Sequence, residues 1–178
     1  MPSEGGPLPA PGSRLPAPGS RLPAHNPLMD VTIKDQPALR VAGVRHIGPY
    51  HEIGRAFARV GSIAAGHIGS GSRMIGIFHD DPESTPTDRL RSDAAITLPG
   101  NTPSPDGLIE QRLPAGRYAC VLHKGEYEGL PGVWAALKKD WLPASGYRMG
   151  SPSYELYLND PMGTPKAELL TEIYMRLA

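Results

Sequence analysis

Cysteine is almost missing from this 178-residue chain, Cys120 standing alone, which excludes an internal disulfide framework and a metal centre built on cysteine ligands. A surplus of either charge is missing too, since 18 Lys and Arg balance 18 Asp and Glu. A protein that grips nucleic-acid phosphates carries a basic surplus, so direct nucleic-acid binding is not expected. No apolar run approaches the roughly 18 residues that cross a bilayer, and the N-terminus lacks the charged start and apolar stretch of a secretory signal. The expectation is a soluble, cytoplasmic protein with no membrane association. Aromatic residues are sparse at 6%, yet seven of them are Tyr, whose ring and hydroxyl suit a half-wet cavity as well as a sheet face.

Proline and glycine are abundant, 21 of each. Residues 8–14 read LPAPGSR, and residues 15–21 repeat them letter for letter before a third copy decays at Leu22-Pro23-Ala24. With few large apolar side chains, such a stretch cannot bury enough surface to offset its ordering entropy. Residues 1–28 are therefore predicted to be a disordered tail, and Met29 becomes a second candidate start of translation. The mass of the native protein decides that point: a mature chain retaining residues 1–28 refutes it.

Beyond the tail the chain repeats itself on a larger scale. Residues 36–50 read QPALRVAGVRHIGPY and residues 113–127 read LPAGRYACVLHKGEY, a displacement of 77 with eight of fifteen pairs identical. At a displacement of 79, IGIFHDDP (75–82) matches YELYLNDP (154–161), and residues 92–98 fall on 171–177. Three blocks in one order imply an internal duplication, with repeat one at 29–99 and repeat two at 107–178. Leu39 to His46 and Tyr118 to His123 read as strands. Leu130, Trp134, Leu137 and Trp141 lie on one helical stripe, with Ile53, Phe57 and Val60 in the same role in the first copy, and the second helix is predicted to stop before Pro143. Ile75 to Phe78 and Tyr154 to Leu158 read as second strands ending in Asp-Pro turns, and Ala94 to Leu98 and Ile173 to Leu177 as third strands. The fold class is α+β: tandem duplicated βαββ units with pseudo-twofold symmetry, an antiparallel sheet with helices on one side and a ligand cleft between the repeats.

The LPAGRYACVLHKGEY segment, the helix ending in Trp141-Leu142 and the run from Tyr154 to Pro161 resemble the GyrI-like family, the effector-binding domain fused to DNA-binding modules in some AraC-type and MerR-type regulators and also found alone. The resemblance spans about Met29 to Ala178. It implies a cleft between the copies that binds aromatic or cationic amphipathic molecules; members include drug-sensing domains, proteins described as gyrase inhibitors, and hydrolases of cyclopropane-bearing genotoxins. No helix-turn-helix module is recognisable here, which argues against a direct transcriptional role.

The copies differ most tellingly at Glu155, whose counterpart is Gly76. A carboxylate inside an otherwise apolar strand either faces solvent on an open sheet or points into a polar cavity; the resemblance implies the cleft. Period-two alternation puts Glu155 and Tyr157 on one face and Tyr154, Leu156 and Leu158 on the other, where they are expected to meet the helix stripe. Gly76 and Phe78 mirror the pocket face, with room for a ligand at Gly76. Tyr50, Tyr127, Tyr118 and Trp134 complete the candidate wall, although core packing is a sufficient reason for each Tyr and for Trp134. Glu155 then has two possible roles: a fixed anion for a cationic ligand, with cation-π help from the rings, or a general base that activates water. Three functions follow: a standalone binder of hydrophobic, aromatic or cationic small molecules; a hydrolase of strained electrophiles; or an inhibitor of DNA gyrase, for which no sequence feature speaks beyond the family. His46 and His123 lack supporting ligands, so neither a metal nor any other cofactor is expected, and Cys120 reads as inert packing. Residues 66–72 are Gly-rich but lack the ending of a phosphate-binding loop and read as a flexible connector.

Overall fold

The structure is a computed structural model that describes residues 29–68 and 71–178. The predicted tail at 1–28 and part of the predicted connector lie outside the described residues. Each repeat opens with a strand that periodicity does not reveal: β1 (Thr32–Gln36) precedes β2 (Leu39–Ile47), and β5 (Ile109–Leu113) precedes β6 (Gly116–Lys124). The repeated unit is thus ββαββ, one strand longer than the βαββ read from the sequence. TIKDQ and IEQRL carry too few apolar residues to alternate visibly. They are specified by their partners, for β1 pairs with β6 and β5 with β2, each in the opposite repeat. The remaining elements are α1 (Gly54–Ile63), β3 (Met74–Phe78) and β4 (Arg91–Thr97) in the first repeat. In the second they are α2 (Leu130–Ala136), a π-helical turn (Leu137–Trp141), α3 (Leu142–Ser145), β7 (Ser153–Tyr157) and β8 (Leu170–Arg176).

All pairings are antiparallel, in the order β1-β6-β8-β7-β3-β4-β2-β5. The two ends of this order are joined. Only Pro37 and Ala38 separate β1 from β2, and only Pro114 and Ala115 separate β5 from β6. The registers Gln36↔Gly116 and Leu39↔Leu113 show that both long strands advance in step across their bends. Three residues of chain reach about 11 Å at most, so the first and last strands of the order must come together and the sheet closes into a barrel-like ring. Closure gives the sheet an inside and an outside.

The inside holds Val41, Ile75, Ile77, Ala95, Leu113, Tyr118, Cys120, Tyr154 and Tyr174 in one buried cluster. The outside carries the helices in two further clusters: Val60 and Ala64 of the first repeat pack on Ala42, Ala94 and Ile96, and Leu130, Leu137 and Trp141 of the second pack on Ala119, Val121, Ile173 and Met175. This corrects one expectation. Tyr154 and Leu156 alternate as predicted, but they face the barrel interior, while Glu155 and Tyr157 share the outer face with the helices. The closed sheet supplies a second apolar compartment that a one-layer picture lacks.

The second helix does not stop before Pro143. At the π-helical turn the amide of Leu142 reaches back to the carbonyl of Leu137, and α3 starts with Pro143 in its first turn and ends at Gly146, φ 76°. Proline lacks the amide that a continuous helix would use and crowds the carbonyl four residues back; the wider π turn accommodates both. The duplication also survives in the turns. Gly48 and Gly125 adopt φ values of 130° and 136°, which a residue with a Cβ rarely visits, and His46 and His123 each hold a carbonyl three residues on, at 3.0 Å in both copies. Among the described residues no helix is long and apolar enough to cross a membrane.

Candidate functional site

β3 and β7 meet at the centre of the sheet, and Gly76 lies directly opposite Glu155. A displacement of 79 carries one onto the other, so this pair straddles the pseudo-twofold axis, on the outer face between α1 and α2. Glu155 is buried, with 5% of its surface exposed, and no cation lies beside it among the ion pairs of the described residues. Its carboxylate accepts two hydrogen bonds from neutral groups: Trp134 Nε1 donates to Oε1 at 2.6 Å and the Tyr157 hydroxyl to Oε2 at 2.7 Å. Burial pushes the Glu155 carboxyl above the usual range, while the bonds from Tyr157 and Trp134 and the nearby His123 pull it back only in part. The Tyr157 phenol is pushed far up by its own burial and by the Glu155 charge, so it stays protonated and donates.

A chain of edge-to-face rings surrounds this carboxylate. Tyr157 meets Phe57 at 5.5 Å and Tyr127 at 5.3 Å; Phe78 meets Trp134 at 6.2 Å and Tyr50 at 5.0 Å. Such contacts add about 0.5–1.5 kcal/mol each to the burial of the rings. The bare Gly76 does not leave an open space: a Cβ there would lie 3.2 Å from the Tyr157 hydroxyl, 3.3 Å from Phe57 and 3.4 Å from Phe78. The glycine lets the rings close over the axis, and a ligand must part them.

The structure therefore brings together Glu155, Tyr157, Trp134, Tyr127, Tyr50, Phe78 and Gly76. It separates Tyr118, which lies in the barrel interior against Tyr154 and Tyr174. Strand alternation explains the error, since Tyr118 is one step out of phase with Ala119 and Val121, which face the helices. Three contributors were missed as site residues. Phe57 was read only as a helix-stripe residue, though a displacement of 77 makes it the counterpart of Trp134. Ser92 and Thr171, opposite Phe78 and Tyr157, are buried with hydroxyls that have no partner among the described residues; such groups are costly in a dry interior and mark places for water or a polar ligand atom. The repeat itself signals them, since 92 and 171 are equivalent.

Cys120 lies in the interior, where burial pushes its thiol up to about 12, outside the range of a nucleophile at neutral pH. Asp93 is the other deeply buried carboxylate among the described residues. It accepts hydrogen bonds from His79 (2.6 Å), Arg45 and Gln111 (2.9 Å). Burial opposes its ionisation, but these donors outweigh that and hold it at about 2. Asp93 is thus a satisfied anion, whereas the Glu155 carboxyl is buried with two neutral donors and no cation among the ion pairs of the described residues.

A closed sheet of duplicated halves with a buried carboxylate caged by aromatic rings on its axis is the architecture of a small-molecule-binding class of α+β domain. The chain belongs to the GyrI-like family: the family's small molecule binding domain matches residues 29–178. A protein of Serratia proteamaculans named DNA gyrase inhibitor is 36% identical over 141 residues, which cover 74% of this chain and 88% of that one. Among solved structures, the C-terminal domain of EcmrR superposes with a TM-score of 0.67 at 21% identity, covering 85% of this chain and 98% of that domain. SAV2435 bound to tetraphenylphosphonium superposes with a TM-score of 0.59 at 15% identity, covering 84% and 94%. Likenesses this remote establish the fold.

Proposed function

We propose that residues 29–178 form a binding domain for lipophilic, aromatic cations, which enter between α1 and α2 and meet Glu155 on the pseudo-twofold axis. One observation carries this reading: a buried carboxylate held by two neutral donors, inside a cage of rings, without a cation of its own. An ionised group in that setting is under-compensated, and a delocalised organic cation supplies the missing charge while its apolar body replaces ring-to-ring contacts with cation-π and stacking contacts. The bound tetraphenylphosphonium in SAV2435 is a ligand of this chemistry. Titration with tetraphenylphosphonium, followed by tryptophan fluorescence, tests the proposal. Trp134 must give up its bond to Glu155 or its contact with Phe78 as the cation enters, so saturable quenching is expected; no binding at millimolar concentration overturns the reading.

The raised pKa of Glu155 favours a second reading, in which the carboxylate deprotonates water for attack on a strained electrophile. Incubation with a cyclopropane-bearing alkylating agent separates the two, because an enzyme turns over many equivalents and a binder returns the compound intact. The name of the Serratia relative brings a third, inhibition of DNA gyrase, which a supercoiling assay with the purified protein decides.

A further inference from the structure

The barrel interior opens at the end where β1 bends into β2. A cavity of about 280 Å³ lies there, lined by Gln36, Leu39, Arg73, Thr97, Tyr154 and Tyr174 among others. It is separate from the Glu155 cleft: Tyr154 and Glu155 are neighbours in β7, but the first points into the barrel and the second out of it. Barrel mouths are recurrent places for small-molecule sites. The polar lining includes a cation and several hydrogen-bond donors. Arg73 donates through one nitrogen to the carbonyl of Leu158 at 2.8 Å and has no carboxylate partner among the ion pairs of the described residues. The Thr97 hydroxyl accepts from the Arg73 amide at 2.9 Å, which leaves its own proton to donate. Tyr154, which lines the cavity, is only 4% exposed, and burial raises its phenol, so its hydroxyl stays protonated. Tyr154 and Tyr174 stack at 4.6 Å and 17°, with Lys34 5.5 Å from the Tyr174 ring centre, and the stacked pair lines the cavity together with Leu39 and Leu156. Glu172, which precedes Tyr174 by two residues on β8, is already occupied by Lys34 (3.3 Å) and the Tyr174 hydroxyl (2.7 Å).

We propose that the barrel mouth is a second ligand site, distinct from the cleft, and that it takes a small aromatic carboxylate. The ring lies against the Tyr154–Tyr174 stack, and the carboxylate meets Arg73 and the Thr97, Gln36 and Tyr154 donors. The cavity falls just below the roughly 300–1,000 Å³ that holds drug-sized ligands, so the occupant is a single ring system with one acidic arm. Isothermal titration with indole-3-acetate tests this. Binding of one equivalent is expected, with at least tenfold weaker binding of the neutral indole-3-acetamide, at least tenfold loss in Arg73→Gln, and no change in Glu155→Gln. Absence of binding at millimolar concentration, equal affinity for the amide, or loss in Glu155→Gln with retention in Arg73→Gln each overturns the proposal. The amide comparison reads the charge requirement on the unaltered protein, so the test stands even where a variant folds poorly. A negative result here leaves cation binding at Glu155 untouched.

Discussion

Replacing Glu155 with Gln separates charge from shape at the centre of the cleft. The amide oxygen still accepts from Trp134 and the amide nitrogen donates to the Tyr157 oxygen, so the ring cage keeps its geometry and only the Tyr157 proton loses its acceptor. For a phosphonium centre about 5 Å from the carboxylate, at an effective dielectric of about 20, the lost attraction is about 3 kcal/mol, or roughly 200-fold in affinity. Screening by solvent entering as the rings part lowers this to roughly 30- to 200-fold. Isothermal titration with tetraphenylphosphonium and with the neutral triphenylphosphine oxide reads the difference. The cation is expected to weaken by that factor and the neutral compound by less than about threefold. Equal losses for the two, or an unchanged cation affinity, refute the role of Glu155 as counter-ion.

Four further outcomes follow. Gly76→Ala inserts a methyl into contacts of 3.2–3.4 Å, and is expected to destabilise the fold by about 1 kcal/mol in chemical denaturation and to weaken tetraphenylphosphonium, because the methyl takes up space opposite Glu155 that the cation needs. Cation affinity should be flat at high pH and fall about tenfold per unit below the Glu155 pKa, which burial places above 4.5; the Gln variant should show no such fall. The same raised pKa means that ionising Glu155 costs stability as pH rises from 4.5 through its folded value, so the unliganded Gln variant should melt higher than wild type at neutral pH, with the difference vanishing in acid. Asp93 behaves in the opposite way. Held at about 2 against an ordinary value of 3.8, it contributes about 2 kcal/mol that is present above pH 4 and lost as pH falls toward 2, and Asp93→Asn should remove that much in urea denaturation at pH 7.

The parts of the fold legible in the sequence are those where local pattern and burial agree. The helix stripes, the Asp-Pro turns and the strands ending at His46 and His123 all carry apolar residues at a period set by one buried face. β1 and β5 were invisible because their identity rests on pairing with the opposite repeat, a non-local fact that five mostly polar residues cannot encode. Closure of the sheet follows from the two-residue bends at Pro37-Ala38 and Pro114-Ala115, which read as ordinary strand boundaries until the registers on either side are known. The site was legible through its asymmetry: Glu155 against Gly76 stands out once the copies are aligned. Tyr118 was misplaced because Tyr is apolar enough for either compartment of a sheet buried on both faces, so residue type alone cannot assign the side.

The asymmetry extends beyond one pair of residues. Around Glu155 the second repeat supplies two donors, the Trp134 indole and the Tyr157 hydroxyl. At the equivalent positions the first repeat has Phe57 and Phe78, rings of similar bulk that donate nothing, beside a glycine. The acid and its two donors form one package, and the glycine and two phenylalanines its apolar counterpart. The charge is therefore not transferable by itself. A Gly76→Glu/Glu155→Gly double variant places a carboxylate against Phe57 and Phe78, with the Tyr157 hydroxyl, 3.2 Å from the Cβ position, as a single donor in place of two, and is expected to lose about 3 kcal/mol in urea denaturation at pH 7, as for a buried charge stripped of part of its hydrogen bonding. Adding Phe57→Trp and Phe78→Tyr restores the donors by the pseudo-twofold relation, and should recover most of that loss together with cation binding. If the double variant is as stable as wild type, the two donors are not what keeps Glu155 buried, and the cleft would owe its acid to solvent access instead.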